Sequence, residues 1–418
     1  MKNTATESQS FWPRVIILVD MNAFFCSVEQ LDHPEWQGRP IGVTNGEQGT
    51  CIITSSYEAR AMGIRTGMRV REARMLCPDF IQVPARPERY AEVSANIMDA
   101  LGMVTPDIEV FSVDEAFLDV TRCQRLLGAP KKIAERVKQT VFDASGGLLC
   151  SVGVSGDKTT AKYAAKLHKP DGLALIHPEE AGQVLAPVPV TELCGIARGV
   201  GRFLAERGVH TCGQMKRLPV GELGRRFGNP GRRIWLMAQG LDPESVTLSV
   251  PPPKSIGHGK VMPPKTVDPE TIRTYLLHMA EKVAARLRRH QFCAGHFFIG
   301  LRSYEGWLAG KYHAHPPTNH GADIMRLCAL FIQEHWRGQA VYQVQITALD
   351  PHAESCHSPL FSVDQSRQNS LNAARDEINH CYGEFALAPA RLLRRSQIPN
   401  VIAPAWKPFG HRDTIVIR

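Results

Sequence analysis

Eleven cysteines are present, yet no two are spaced Cys-x-x-Cys. An odd, scattered set of this kind fits neither a zinc site nor a disulfide framework. No apolar run approaches the ~20 residues that cross a membrane. The first ten residues, MKNTATESQS, lack the apolar centre of a signal peptide. No internal repeat is present. These absences set the expectation of a cytoplasmic protein kept in a reducing compartment, with no membrane contact.

What is present is a chain of 418 residues, 43% of them hydrophobic. That length suggests roughly three domains at about 150 residues each. The net charge is +8, and it is unevenly placed. Residues 254–349 carry 12 Lys and Arg against 6 Asp and Glu, a net of +6. Residues 179–243 carry 9 against 6, a net of +3, which leaves −1 for the rest. A clamp on a polyanion, joined to an acidic reaction centre, has this pattern.

Arg14 to Asp20 reads RVIILVD, a continuous apolar run that fits a strand buried on both faces. A helix is expected to follow through Phe24, Phe25 and Val28. Residues 33–84 are short, mixed and Gly-rich, as in a small α/β subdomain. Tyr90, Val93, Ile97 and Leu101 recur at helical spacing. IEVFSVDEAFLDV, residues 108–120, reads as two strands around a tight connection. Ile133, Val137 and Val141 mark another helix, and residues 148–155 another strand. Strand, helix, two strands, helix, strand is the order of a ferredoxin-like layer with an insertion. Residues 189–240 read as helical with Gly punctuation, and residues 250–254, VPPPK, as a stiff linker. Beyond it, Asp268 and Pro269 open a helix. Strand-like stretches at 295–302 and 340–348 flank another helix near 322–335. A last helix is expected around 367–382.

Three acids stand out. Asp20 ends the buried strand, and Asp114 and Glu115 sit in the second apolar stretch. Consecutive strand residues face opposite ways, so Asp114 and Glu115 share a site only at a turn or a twisted end. Clustered, half-buried carboxylates repel one another unless one is protonated or a cation lies between them. Oxygen ligands favour Mg²⁺ or Mn²⁺, and two such ions suit phosphoryl transfer. A helix cap, a turn acid or a surface ion pair is the alternative, and spacing alone leaves that choice open.

Five ordered segments carry a resemblance: VDMNAFFCSVEQ (19–30), SSYEARAMGIRTGM (55–68), FSVDEAFLD (111–119), SVGVSGDKTTAKYAAKLHKPDG (151–172) and KSIGHGKVM (254–262). Together they resemble the Y-family DNA polymerases, translesion enzymes that include bacterial DNA polymerase IV and the catalytic subunit of polymerase V. The resemblance implies an α+β multidomain right hand. Its ferredoxin-like palm would be 11–22 and 85–178, its small fingers 23–84 and its helical, helix-hairpin-helix-like thumb 179–243. A linker at 244–253, an α/β little finger at 254–350 and a C-terminal tail at 351–418 would complete it. The implied function is template-directed, low-fidelity translesion synthesis in DNA damage tolerance. Deoxynucleoside triphosphates would be added to the primer of a primer-template DNA by two-metal-ion transfer.

The resemblance also implies site residues. Asp20, Asp114, Glu115 and the Met21 carbonyl would hold two Mg²⁺ ions, with Mn²⁺ as the alternative. Asn22 stands where many relatives have Asp. Phe25 would be the steric gate against a ribose 2′-hydroxyl, against the simpler reading of a core Phe, which suits Phe24 better. Tyr57, Arg60, Lys169 and Thr54 would bind the nucleotide, while Lys158 and Lys162 read as solvated surface lysines. Gly195, Gly199 and Gly201 would form the thumb hairpin on a DNA phosphate, although Ala197 breaks its usual Gly-x-Gly; a plain turn is the alternative. Lys254, Ser255 and Lys260 would meet DNA from the little finger. In HSPLF, residues 357–361, the residues Pro359, Leu360 and Phe361 would engage a sliding clamp; a tuck onto the protein's own surface is the alternative. The protein would act as a monomer. Two other classes compete: a non-catalytic DNA-binding accessory subunit, and a metal-dependent nuclease or cyclase on a similar palm.

Overall fold

The computed structural model describes residues 11–47, 49–249, 252–353 and 366–394. It forms two compact units, one built on Met1–Val250 and the other on Pro251–Asn400.

In the first unit, β1 (Ile16–Met21) leads into α1 (Phe24–Asp32). A small layer follows: β2 (Ile41–Thr44), β3 (Ile52–Ser55), α2 (Tyr57–Ala61), α3 (Val70–Leu76) and β4 (Ile81–Pro84). Next come α4 (Pro87–Gly102), β5 (Ile108–Val110), β6 (Glu115–Asp119), the short α5 (Gln124–Leu127) and α6 (Pro130–Ser145). β7 (Cys150–Ser155), α7 (Lys158–Leu167), β8 (Leu173–Leu175) and the short α8 (Ala181–Leu185) continue the chain. The main sheet has the order β5-β6-β1-β7-β8, with β1 central and antiparallel to both neighbours. The expected strand and helix order is therefore present, and β8 adds a parallel strand that the sequence reading did not include.

The apolar run of β1 is explained by cover on both faces. Ile17, Val19 and Met21 join a core with Tyr90, Val93, Ile97 and Leu101 of α4 and Ile133, Val137 and Val141 of α6. Ile16 and Leu18 face Phe117, Ala161 and Ala165 on the other side. There α7 lies flat on β7. A Cβ on Gly153 would stand 2.1 Å from the Ala161 carbonyl oxygen, so only Gly fits beneath the helix. The inserted layer pairs β3-β2-β4 and has its own core of Ile52, Ala59, Ile64, Val70, Ala73 and Phe80.

Residues 189–240 carry α9 (Arg198–Ala205) and α10 (Val220–Met237), the latter kinked at Gly228. Leu204, Val209, Met215, Leu223 and Ile234 form their separate core. The chain then crosses back over the first unit. Val246 packs with Ile16, Leu18 and Phe117, and the Thr247 backbone N–H donates to Glu109 at 2.7 Å.

The second unit holds β9 (Ile256–Thr266), α11 (Pro269–Arg289), β10 (Phe292–Ser303), β11 (Gly306–Thr318), α12 (Gly321–His335), β12 (Val341–Ala348), β13 (His352–Ala353) and α13 (Ser366–Tyr382). Its sheet order is β11-β10-β12-β9. Phe297, Ile299 and Leu301 alternate into a core with Leu276, Met279 and Val283 of α11 and Phe331 of α12. Asp268 caps α11 by accepting from the Thr271 N–H at 2.8 Å, with Pro269 at the first helical position. α13 is fastened to this unit by Arg288 on Asp376 at 2.6 Å and Arg375 on Glu281 at 2.9 Å. The described cysteines are all free. No helix among the described residues is long and apolar enough to cross a membrane.

Candidate active site

The site begins with strand register. Asp20 and Glu115 are direct partners across the antiparallel β1–β6 pair, so both side chains leave the same face. Asp114 precedes β6 in the tight connection from β5. That connection is closed by the Phe111 and Ser112 N–H groups donating to the Glu115 carbonyl at 2.9 and 3.1 Å. Because Asp114 lies off the strand, the alternation that would separate it from Glu115 does not apply. The Met21 N–H donates to the Asp114 carbonyl at 2.9 Å, which fastens this turn to the end of β1. The structure thus brings all three acids and the Met21 backbone to one end of the sheet.

Their electrostatics are those of crowded acids. Burial pushes Asp20 up to about 6; Lys169 opposes this, and Glu115 and Asp114 add to it. Burial likewise raises Asp114, against the Ser112 hydroxyl, which donates to its Oδ1 at 2.5 Å. Two lysines are interleaved. Lys169 Nζ lies 2.5 Å from Asp20 Oδ2. Lys162 Nζ donates to both Glu115 oxygens at 2.6 and 2.7 Å.

With the side chains so paired, no group of three or more His, Cys, Asp or Glu among the described residues converges tightly enough to hold a metal ion. The donor set nevertheless suits a hard divalent cation. It consists of oxygen ligands alone, and the neighbouring carboxylates raise the proton affinity of Asp20 and Asp114, a repulsion that a cation relieves.

Lys158 and Lys162 are where the structure overturns the sequence reading. Lys158 is 4% exposed and bonds Glu109 at 2.7 Å; Lys162 is 14% exposed. Neither is a solvated surface lysine, because α7 lies on the sheet and turns both ammonium groups onto acids of β5 and β6. Their four-residue spacing on one helix face was the available signal. Ser112 emerges only from the structure, and so does the hydrogen bonding of Asn22. Asn22, 4% exposed, accepts from the Asp171 N–H at 2.8 Å and donates to Ser151 Oγ at 2.9 Å. It thereby holds the turn that carries Lys169.

Phe24 is buried in the core, whereas Phe25 is half-buried and stacks on Tyr90 with centroids 4.3 Å apart and planes 14° apart. Arg60 lies over the Tyr57 ring at 4.7 Å, and its Nε donates to the Ser55 carbonyl at 3.0 Å. Thr54 is on β3, where its carbonyl accepts from Cys26 Sγ of α1 at 3.5 Å.

In the 189–240 region Gly195 adopts φ 88°, Ala197 is the N-cap of α9, and Gly199 and Gly201 lie inside that helix. In the second unit Lys254 and Ser255 are exposed ahead of β9. Lys260 is half-buried and opposite the buried Val344, hence on the helix-covered side of the sheet. Pro359, Leu360 and Phe361 lie outside the described residues.

Comparison with known proteins places the chain in a family. Residues 19–166 match the model of the impB/mucB/samB family, and residues 253–371 match that family's C-terminal domain. The chain is 36% identical over 378 residues to the DNA polymerase IV of Moorella thermoacetica, covering 88% of this chain and 94% of that protein. It is 35% identical over 398 residues to the DNA polymerase IV of Clostridium kluyveri, covering 92% and 99% respectively. A solved Y-family DNA polymerase chimera superposes with a TM-score of 0.70 at 24% identity, covering 81% of this chain and 100% of the chimera. The fold and the matched domains define a Y-family polymerase hand. The chain belongs to the Y-family DNA polymerases, the impB/mucB/samB family of the two models, and is a DNA-directed DNA polymerase by class.

Proposed function

We propose that this chain carries out low-fidelity, template-directed translesion synthesis, adding deoxynucleotides to a primer 3′ end in DNA damage tolerance. The observation that carries the reading is the register of Asp20 against Glu115 with Asp114 at their side. Asp20, Asp114, Glu115 and the Met21 carbonyl would hold two divalent ions, Mg²⁺ or Mn²⁺. When bound, such ions activate the primer hydroxyl and neutralise charge on the triphosphate. The protein's own side chains do the rest. Lys169, Tyr57 and Arg60, with Thr54 nearby, bind and orient the triphosphate. Phe25, backed by the Tyr90 ring, excludes a ribose hydroxyl. Gly195, Gly199, Gly201, Lys254 and Ser255 contact the DNA backbone; Lys260 is set aside from that group because it lies on the helix-covered side of its sheet. Pro359, Leu360 and Phe361 engage a sliding clamp. The chain acts as a monomer in the cytoplasm, a compartment that suits its free cysteines.

Primer extension tests the centre of this reading. An Asp114→Ala, Glu115→Ala double variant is expected to lose activity by about a hundredfold or more. Extension equal to that of the unaltered protein would reduce the acids to a structural role.

A further inference from the structure

Glu115 already has a cation partner. Both of its oxygens accept from Lys162 Nζ, at 2.6 and 2.7 Å, in a pair with 14% and 17% exposure. We propose that Lys162 is a built-in counter-cation for Glu115, which a divalent ion must displace before Glu115 can ligate it. The inference rests on the metal-site reading above and adds a residue to it.

The geometry leaves the ammonium little freedom to drift away on its own. Lys162 Nζ lies 4.5 Å from the centroid of Phe111, and the Phe111 N–H donates to the Glu115 carbonyl at 2.9 Å. Cation, ring and acid therefore close on one another. One turn earlier on α7, Lys158 bonds both oxygens of Glu109 at 2.9 and 2.7 Å. Beneath them, the Gly153 contact sets α7 directly on β7. The helix that carries Lys162 is thus fixed at two points, so release of Glu115 comes from side-chain rotation.

The charges give the consequence. Three carboxylates face two ammonium groups, those of Lys162 and Lys169. A divalent ion arriving at the free protein therefore meets a centre most of whose negative charge is already neutralised. It must replace two short, charge-assisted hydrogen bonds at Glu115. On the proposed reading Lys169 would leave Asp20 for the triphosphate. Among the described residues the acid that Lys162 pairs with is Glu115, with the Phe111 ring beside it. Lys162 is a positioning residue, and its effect is to keep ion binding weak until substrate brings its own negative charge.

Mn²⁺ binding to the full chain, without DNA or nucleotide, tests this by the electron paramagnetic resonance signal of free Mn²⁺. Lys162→Gln and Lys162→Met are expected to bind Mn²⁺ about tenfold tighter, the scale of one partly buried ion pair. Lys162→Arg, which keeps the charge, is expected to bind as the unaltered chain does. Unchanged or weaker binding in both uncharged variants overturns the proposal. Asp20→Asn and Asp114→Asn separate the two readings. If they abolish Mn²⁺ binding while Lys162→Gln leaves it unchanged, only the role of Lys162 is lost. If neither weakens it, the metal site itself is wrong.

Discussion

Phe24 and Phe25 are neighbours on one helix with different surroundings, and that difference is the strongest residue-level argument for selectivity. Phe24 is 3% exposed among core side chains. Phe25 is half-buried, with one ring face stacked on Tyr90. Tyr90 is itself fixed, because its hydroxyl donates to Glu29 at 2.6 Å and Arg86 holds the same carboxylate at 2.7 Å. A ring supported from behind by a buried, hydrogen-bonded aromatic is a rigid wall, and rigidity is what steric exclusion of a hydroxyl requires. Phe25→Val removes that wall without removing a core side chain. The expected outcome is a loss of deoxynucleotide over ribonucleotide preference of about tenfold or more, with deoxynucleotide incorporation largely kept. Competitive incorporation assays read it directly, and unchanged sugar discrimination would remove the assignment.

At the scale of elements, α7 does most to hold the site together. Its Ala161 and Ala165 sit on β7 at Gly153, and its lysines reach Glu109 and Glu115. Gly153→Ala places a carbon where backbone already is, so α7 must lift. A destabilisation of roughly 3 kcal/mol is expected in denaturant titration, with activity falling alongside it. A variant as stable as the parent would show that α7 is loosely seated.

This element also marks what sequence can reveal. The apolar run of β1 and the four-residue spacing in α4 and α6 are long and regular, so strands and helices of the main layer are legible. So is the cap of α11, because Asp and Pro at a helix start have local causes. β11 escapes detection: GWLAGKYHAHPPT is a sheet-edge strand in which one face meets solvent and two prolines close the end. Lys158 and Lys162 escape because their partners lie about 50 residues away, and only tertiary packing joins them. Asp20 is visible as an acid ending one apolar stretch, and Asp114 and Glu115 as acids within another, but their union depends on a register no local signal states.

For the whole molecule, the division of charge matches the division into units. The second unit begins at Pro251 and contains the segment 254–349 with its net charge of +6. It has its own core between one sheet and two helices, α13 is fastened to it by Arg288–Asp376 and Arg375–Glu281, and the turn after α13 by Lys282–Glu384. Residues 252–394 are therefore expected to fold alone and to show a single cooperative transition. Phosphate binding by displaced counterions gives a linear fall of log affinity with log salt, with slope set by the number of phosphates neutralised. If most phosphate contacts come from this unit, the isolated fragment retains most of the slope measured for the full chain on the same duplex. Its absolute affinity is weaker, since the first unit's contacts are gone. Fluorescence anisotropy across a salt series measures both. A fragment that folds but shows a slope near zero would move the phosphate clamp to residues 179–243, the other stretch of net positive charge.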